Sequence, residues 1–340
     1  MNEMTKVDKI QTGDDLERCP FPIPYGWFCV HYSHELKVGE IKIEKVFGKE
    51  WVLFRGEDGS VGMTDPFCPH LGAHLGHGGK VEGNNIQCPF HNWEFDSEGW
   101  CKKIPYGKVM PGVARKKPIL KALPVIEKYG MIFVWYHPED VEPMWELPVI
   151  PEFEDPDGHV EVKYHVWDIG TCIQEIGENS VDTPHLKFLH GAPLIPSVEA
   201  SADGPIWNYD IMDGYIYGTG YGPGVNATRH CRGDVKMLMF AMSTPTDAEM
   251  TRTRMAFTWK KYDEGSEDMA TATHLYHHSI GEAEGEESKG FESVDMIIWD
   301  NKKYRPNPLL CDGDGPIMKW RQYMKQFYVG LDQNNPAIGG

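Results

Sequence analysis

Between about Gly26 and His137, apolar and polar residues alternate in short runs (WFCVHY, EIKIEKVF, EWVLFRGEDGSVGM, GMIFVWYH) separated by turn formers. A period of two, interrupted by glycine, proline and acid, predicts strands, here a small all-β domain over residues 20–140. Two stretches, CPHLGAHLGHGG and CPFHNWEFDSEGW, break the alternation with glycine, proline and histidine, a composition typical of loops that hold a ligand. After His137 the segment PEDVEPMWELPVIPEFEDPDG, rich in proline and acid, reads as a linker into a second domain over residues 141–340. That domain opens with the strand-like HVEVKYHVWDIG and passes through a helical stretch containing ENSVDTPHLKFLH. It returns to strands in WNYDIMDGYIYGTGYG, VKMLMFAMSTPT and TRTRMAFTWKKY, and ends with helical periodicity in FESVDMIIWDNKK and GPIMKWRQYMKQFYV. The order predicts an α+β architecture, an antiparallel sheet with a few long helices, rather than alternating βαβ units. No internal repeat is visible, and IGEAEGEESKG reads as an acidic solvated loop.

The 340 residues include 33 basic and 51 acidic side chains, a formal net charge of -18. That balance argues against a surface that neutralises nucleic-acid phosphates or anionic lipid. The opening residues lack the apolar core of a signal peptide, and no run approaches the roughly 20 apolar residues of a spanning helix, so a soluble, cytoplasmic protein without membrane insertion is expected. Among the eight cysteines, Cys19, Cys29, Cys101, Cys172, Cys231 and Cys311 are scattered and read as ordinary small side chains, whereas Cys68 and Cys88 stand apart through their neighbours.

Cys68 and His70 form C-x-H, and after seventeen intervening residues Cys88 and His91 form C-x-x-H. One thiolate and one imidazole from each of two loops make a four-ligand metal clamp. Structural zinc would accept this set. So would a Rieske [2Fe-2S] cluster, in which two thiolates hold one iron and two histidines the other, and whose work is one-electron transfer. His74 and His77 fall outside the ligand positions and read as loop or surface histidines.

The second constellation is Asn179, Asp182, His185 and His190. On a continuous helix turning about 100° per residue, Asn179 and His185 lie about 60° to either side of Asp182, and His190 about 80° from it, so all four share one arc. Pro184 is expected to kink such a helix. Burying two histidines, a carboxylate and an amide together is costly unless they bind a metal or move a proton. Two histidines with one carboxylate form the facial triad of non-haem iron(II). In FESVDMIIWDNKK taken as a helix, Asp295 falls inside the apolar arc of Phe291, Val294, Ile298 and Trp299, which makes it the expected third ligand, with Asp300 and Glu292 as alternatives.

The two loops in a small β domain resemble a Rieske domain. Followed by the N-x-x-D-x-x-H-x-x-x-x-H segment, they resemble the oxygenase component of the Rieske non-haem iron oxygenases over nearly the whole chain. The tail NPLLCDGDGPIMKWRQYMKQFYV, the preceding VDMIIW and the loop CPFHNWEFDSEGWCKKIPY are similar to the 3-ketosteroid 9α-hydroxylase oxygenase subunits; between about Leu194 and Thr273 little matches beyond GYGPG.

The resemblance implies a helix-grip catalytic domain and a homotrimer in which the cluster of one subunit feeds the iron of its neighbour. It implies that Cys68, His70, Cys88 and His91 hold the cluster, that His185, His190 and Asp295 hold a mononuclear Fe(II), that Asp182 bridges the two centres and that Asn179 sits near the iron. Electrons would come from NAD(P)H through a separate flavin and iron-sulfur reductase or a ferredoxin. One atom of O2 would enter a C–H bond of a bulky apolar substrate, and the other would leave as water. Related sterol desaturases share many of these signals, so desaturation and demethylation stand beside hydroxylation. A Rieske electron carrier without chemistry of its own is the reading from another class.

Overall fold

The computed structural model describes residues 18–281 and 291–331, with the side chains of residues 291–293 outside that description. The alternative ligand Glu292 and nearly all of the acidic segment IGEAEGEESKG therefore lie outside the described residues, as does most of the chain's opening segment.

The alternating runs of the first half pair into three small sheets within a unit spanning Trp27–Met144. Gly26–Tyr32 lies beside Met131–Tyr136, which pairs with Val125–Lys128. Ile41–Val46, Lys49–Arg55 and Val61–Thr64 form an antiparallel meander closed by Ala122–Leu123. The third sheet, Lys80–Glu82, Asn85–Gln87, Glu94–Phe95 and Cys101–Lys103, carries one of the two cysteine-histidine loops between its second and third strands. Alternate residues of these strands point inward. Val52, Phe54, Ile86 and Phe95 meet Leu75, Trp93, Cys68 and Cys88 in one apolar cluster, so both thiols are anchored in the core rather than at a loop tip.

The rest of the described chain forms a second unit that includes residues 18–26. Phe21 meets the edge of Tyr304 at 4.6 Å between ring centroids and stacks on Tyr328 at 5.1 Å, while the Tyr25 N–H donates to Phe327 O at 2.9 Å. Residues 20–26, assigned by the sequence pattern to the first domain, thus pack with the second.

Its centre is a seven-stranded antiparallel sheet: β1 (Lys163–Ile169), β2 (Val198–Asp203), β3 (Ile206–Ile211), β4 (Ile216–Tyr221), β5 (Val225–Arg232), β6 (Val235–Pro245) and β7 (Thr251–Trp259), in the order β1-β7-β6-β5-β4-β3-β2. Hairpins run from β2 to β7, and β1 closes on β7. Two short helices, α1 (Ile173–Glu178) and α2 (Thr183–Phe188), lie between β1 and β2. Helices α3 (Glu267–Ile280), α4 (Phe291–Asn301) and α5 (Ile317–Lys325) follow β7.

The α3 helix begins at Ser266, whose hydroxyl accepts from Met269 N, and ends at Gly281 in the left-handed conformation that closes its last turn. Its Ala272, Leu275, Tyr276 and Ile280 pack with Trp299 of α4 onto Met237, Met255, Phe257 and Trp259 of the sheet. This is the α+β sheet-and-helix arrangement expected of the second half. Among the described residues no helix is long and apolar enough to cross a membrane.

Candidate metal centres

The two loops of the β unit are conformational copies. The Cys68 N–H donates to Ala73 O at 2.9 Å and its carbonyl accepts from Gly72 N at 2.9 Å; the Cys88 N–H donates to Trp93 O at 2.8 Å and its carbonyl accepts from Asn92 N at 3.0 Å. Each loop turns through a left-handed residue four positions after the cysteine, Gly72 at φ 77° and Asn92 at φ 57°, conformations that glycine and asparagine reach most easily. The loops bring the His70 and His91 rings to 4.8 Å between centroids, and His70 stacks on Trp93 at 4.6 Å.

Burial foremost, and the neighbouring Cys88, push the Cys68 thiol up to about 11, so occupation by a metal has to displace a proton there. The Nδ1 of His91 is buried without a hydrogen-bond partner among the described residues, as a ligand nitrogen awaiting its metal would be. His74 is otherwise engaged: its Nδ1 accepts from Gly76 N at 3.1 Å and its Nε2 stands 3.3 Å from Glu50, while His77 is exposed. Two buried thiols and two adjacent imidazoles fit a [2Fe-2S] cluster with mixed ligation.

The second constellation does not sit on one helix. The segment from Glu178 to His190 breaks after α1, turns through Asn179–Asp182 and restarts as α2, with Pro184 in its first turn. Proline lacks the N–H an interior position must donate, but a first-turn N–H has no acceptor anyway, so Pro184 starts a helix here instead of kinking one. The single arc expected of a continuous helix is therefore replaced by a folded corner. The corner is tightly held: a Cβ at Gly315 would lie 1.6 Å from Val181 O, a close approach only glycine permits.

The corner still gathers the expected side chains. His185 in α2, His190 just beyond it and the buried Asp295 of α4 place ligand atoms all within 4.8 Å of one another. The Nε2 of His190 is 3.1 Å from Asp295 Oδ2, and the Asn179 amide donates to Asp295 Oδ1 at 3.1 Å. The Nδ1 of His185 is bonded to the backbone carbonyl of Asp182, which places the proton on Nδ1 and leaves Nε2 unprotonated for a metal. Burial is the largest influence on His185 and holds it below the ordinary histidine range, with Asp295 and Asp182 pulling the other way. The Asp182 carboxylate stands 4.0 Å from His185 Nδ1 and its side chain is 41% exposed. Asp300, the alternative acid, is occupied elsewhere, accepting from Gly170 N at 2.6 Å. Two imidazoles and one buried carboxylate converging on a point are the donor set of non-haem iron(II).

Sequence reasoning missed what braces this corner. Glu178 takes a two-pronged ion pair from Arg321 of α5, at 2.7 and 3.1 Å, and the Trp320 indole donates to Gln174 O at 3.1 Å. Glu175, buried nearby, pairs with Lys302. The available signal was a pair of acids, Glu175 and Glu178, on one short helix, but the partner of Glu178 lies 143 residues away.

Residues 26–120 match the family described as Rieske [2Fe-2S] domain, and residues 134–328 match 3-Ketosteroid 9alpha-hydroxylase C-terminal domain. The chain is 31% identical to Cholesterol 7-desaturase of Caenorhabditis elegans, over 94% of this chain and 79% of that one. It is 30% identical to Probable 3-ketosteroid-9-alpha-monooxygenase, oxygenase component, of Rhodococcus rhodochrous, over 99% and 88%. Among solved structures, dicamba monooxygenase bound to dicamba shares the fold with a TM-score of 0.64 at 14% identity, covering 89% of this chain and 96% of that one. Two domain matches in tandem, each enclosing one of the metal-ligand sets described above, make the chain a member of the Rieske non-haem iron oxygenases, in the branch with a 3-ketosteroid 9α-hydroxylase C-terminal domain.

Proposed function

We propose that this protein is the oxygenase component of a steroid monooxygenase, which hydroxylates a 3-ketosteroid at the 9α carbon. It would use O2 and electrons drawn from NAD(P)H through a flavin and iron-sulfur reductase. The observation that carries the reading is the converging His185, His190 and Asp295 within the region matched to the 3-ketosteroid 9α-hydroxylase C-terminal domain. The balance is one C–H bond, one O2, two electrons and two protons, giving one C–OH bond and one water.

Bound at these residues, the [2Fe-2S] cluster supplies single electrons and the mononuclear iron activates O2. Cys68 and Cys88 would hold one iron of the cluster, and His70 and His91 the other. His185, His190 and Asp295 would hold the mononuclear iron. Asn179 fixes the Asp295 carboxylate through its 3.1 Å hydrogen bond, so its part is to position a ligand.

Asp182, partly exposed and beside His185, is suited to bridge outward to a cluster histidine of a neighbouring subunit in a ring of three. A monomer by light scattering at assay concentration would remove that bridge. The chain's net charge of -18 favours a basic docking face on the reductase, and turnover indifferent to ionic strength would exclude it.

A second reading, removal of two hydrogens from a sterol, is favoured by the 31% identical relative named as a cholesterol 7-desaturase. Single-turnover product analysis decides between them. Chemically reduced, iron-replete protein is mixed with O2 and 4-androstene-3,17-dione, which bypasses the reductase. A 9α-hydroxylated product supports the main reading, whereas failure with the dione and a new double bond in a sterol supports the second. Iron content separates both from a simple electron carrier: three irons per chain for the oxygenase, two for a carrier.

A further inference from the structure

Trp93 holds both cysteine-histidine loops of the β unit. Its carbonyl accepts from Cys88 N at 2.8 Å, which closes the second loop, and its indole lies nearly parallel to the His70 ring of the first, with 7° between planes and 4.6 Å between centroids. The indole is itself fixed in two ways. It is 7% exposed, packed in the apolar cluster with Phe54, Ile86 and Phe95, and its Nε1–H donates to Tyr106 Oη at 2.9 Å. Tyr106 comes from the turn after the strand Cys101–Lys103, closed by the Gly107 N–H on Ile104 O at 3.2 Å, and its ring stands 6.2 Å from that of His91.

The two loops are copies in backbone but not in this side chain. The carbonyl that closes the first loop belongs to Ala73, so the matching position returns no aromatic face to His91. A ligand histidine is ordinarily oriented by a hydrogen bond at its second ring nitrogen, as His185 is by Asp182 O. Among the described residues the His70 ring has no such bond; its contacts are the face of Trp93 and the His91 ring, edge-on at 4.8 Å. Stacking on Trp93 therefore sets the plane of His70.

We propose that Trp93, locked by Tyr106, is a positioning residue for the cluster: it fixes the plane of His70, keeps water off one face of that ligand and so sets the reduction potential at which the cluster accepts its electron. This role rests on the cluster reading above and goes beyond it. The sign follows from charge. Two ferric irons, two sulfides, two thiolates and two neutral imidazoles balance to zero, and one added electron leaves a single negative charge. Water stabilises the charged form more than the neutral one, so a dry ligand face holds the potential down and admitting water raises it.

The test is a potentiometric titration of the full-length protein with dithionite at pH 7, followed by visible absorption and by electron paramagnetic resonance of the reduced cluster, with iron and acid-labile sulfide assayed in every sample. Trp93→Ala is expected to shift the one-electron equilibrium about tenfold toward the reduced form, a rise of about 59 mV, and to broaden the resonance as the His70 plane is released. Trp93→Phe, which restores a flat face, should return the potential close to that of wild type. Tyr106 is 59% exposed, so Tyr106→Phe removes the acceptor without opening the core, and it should shift the equilibrium in the same direction by about threefold. Trp93→Ala with full cluster content and an unchanged or lower potential overturns the proposal, as does a phenylalanine variant that behaves like the alanine one. Should Trp93→Ala not retain its cluster, Tyr106→Phe decides alone, and a potential equal to wild type there overturns the role. A wild type without acid-labile sulfide overturns the cluster reading and this role with it.

Discussion

The Arg321–Glu178 pair is where the fold and the proposed iron site are coupled most directly. Arg321 and Glu178 have side chains only 4% and 10% exposed, and Glu178 ends the helix whose next residue, Asn179, holds Asp295. In Arg321→Met a buried carboxylate loses both prongs of its partner. Removing one member of a buried pair costs about 3–5 kcal/mol, because the remaining charge is left desolvated. Arg321 also donates to Arg305 O at 2.7 Å, and its guanidinium lies 4.4 Å from the centre of the Tyr304 ring, which places the loss at the upper end of that range. For a unit of this size, each kcal/mol lowers Tm by about 2–4 °C, so a fall of roughly 10–15 °C is expected by calorimetry on the iron-replete protein. The double variant Arg321→Met with Glu178→Leu removes the stranded charge and should recover most of the loss, though not all, since Arg305 O keeps no donor. A Tm within 2 °C of wild type for the single variant, or a double variant no more stable than the single one, would refute the reasoning.

Asp295→Ala should lose the mononuclear iron with the cluster spectrum intact; normal iron occupancy by elemental analysis would mean that another acid is the ligand. Asp182→Ala is expected to fold with both metal sites filled and to lose nearly all turnover with reductase, and activity near wild type would remove Asp182 from the electron path. His230 supplies a pH prediction. Burial first, then His278 and His190, lower its pKa in the fold to about 4, against about 6.5 unfolded. The fold therefore favours the neutral ring, a contribution fully present above pH 6.5 and lost as pH falls from 6.5 toward 4. The difference corresponds to about 3 kcal/mol by linkage. His230→Phe should lose correspondingly less stability than wild type between pH 7 and pH 4.5 in urea titrations, and parallel losses in the two proteins would contradict the assignment.

What could be read in the sequence, and what could not, follows from the range of the interactions. Cys68, His70, Cys88 and His91 are legible because each loop holds its own proposed ligands by bonds that close within five residues, so spacing alone carries the geometry. Asn179, Asp182, His185 and His190 are legible as chemistry, since polar groups crowd a segment whose flanks are apolar. They are not legible as shape: proline permits both a kinked helix and a new start, and the choice is made by the packing of Gly315 against Val181 O and by Arg321 on Glu178. Asp295 could be picked from its apolar arc, but its hydrogen bond from Asn179 spans 116 residues and leaves no local trace. His230 sits in VNATRHCR, a strand that alternates like any other. Only the ladder shows that it shares a face with Met237, which packs in the apolar cluster beneath α3. The proposed cysteine and histidine ligands declare themselves through clustering in the chain. A buried group that comes singly from a strand, as His230 does, leaves no such cluster, and for it the fold has to be in hand before the chemistry can be argued.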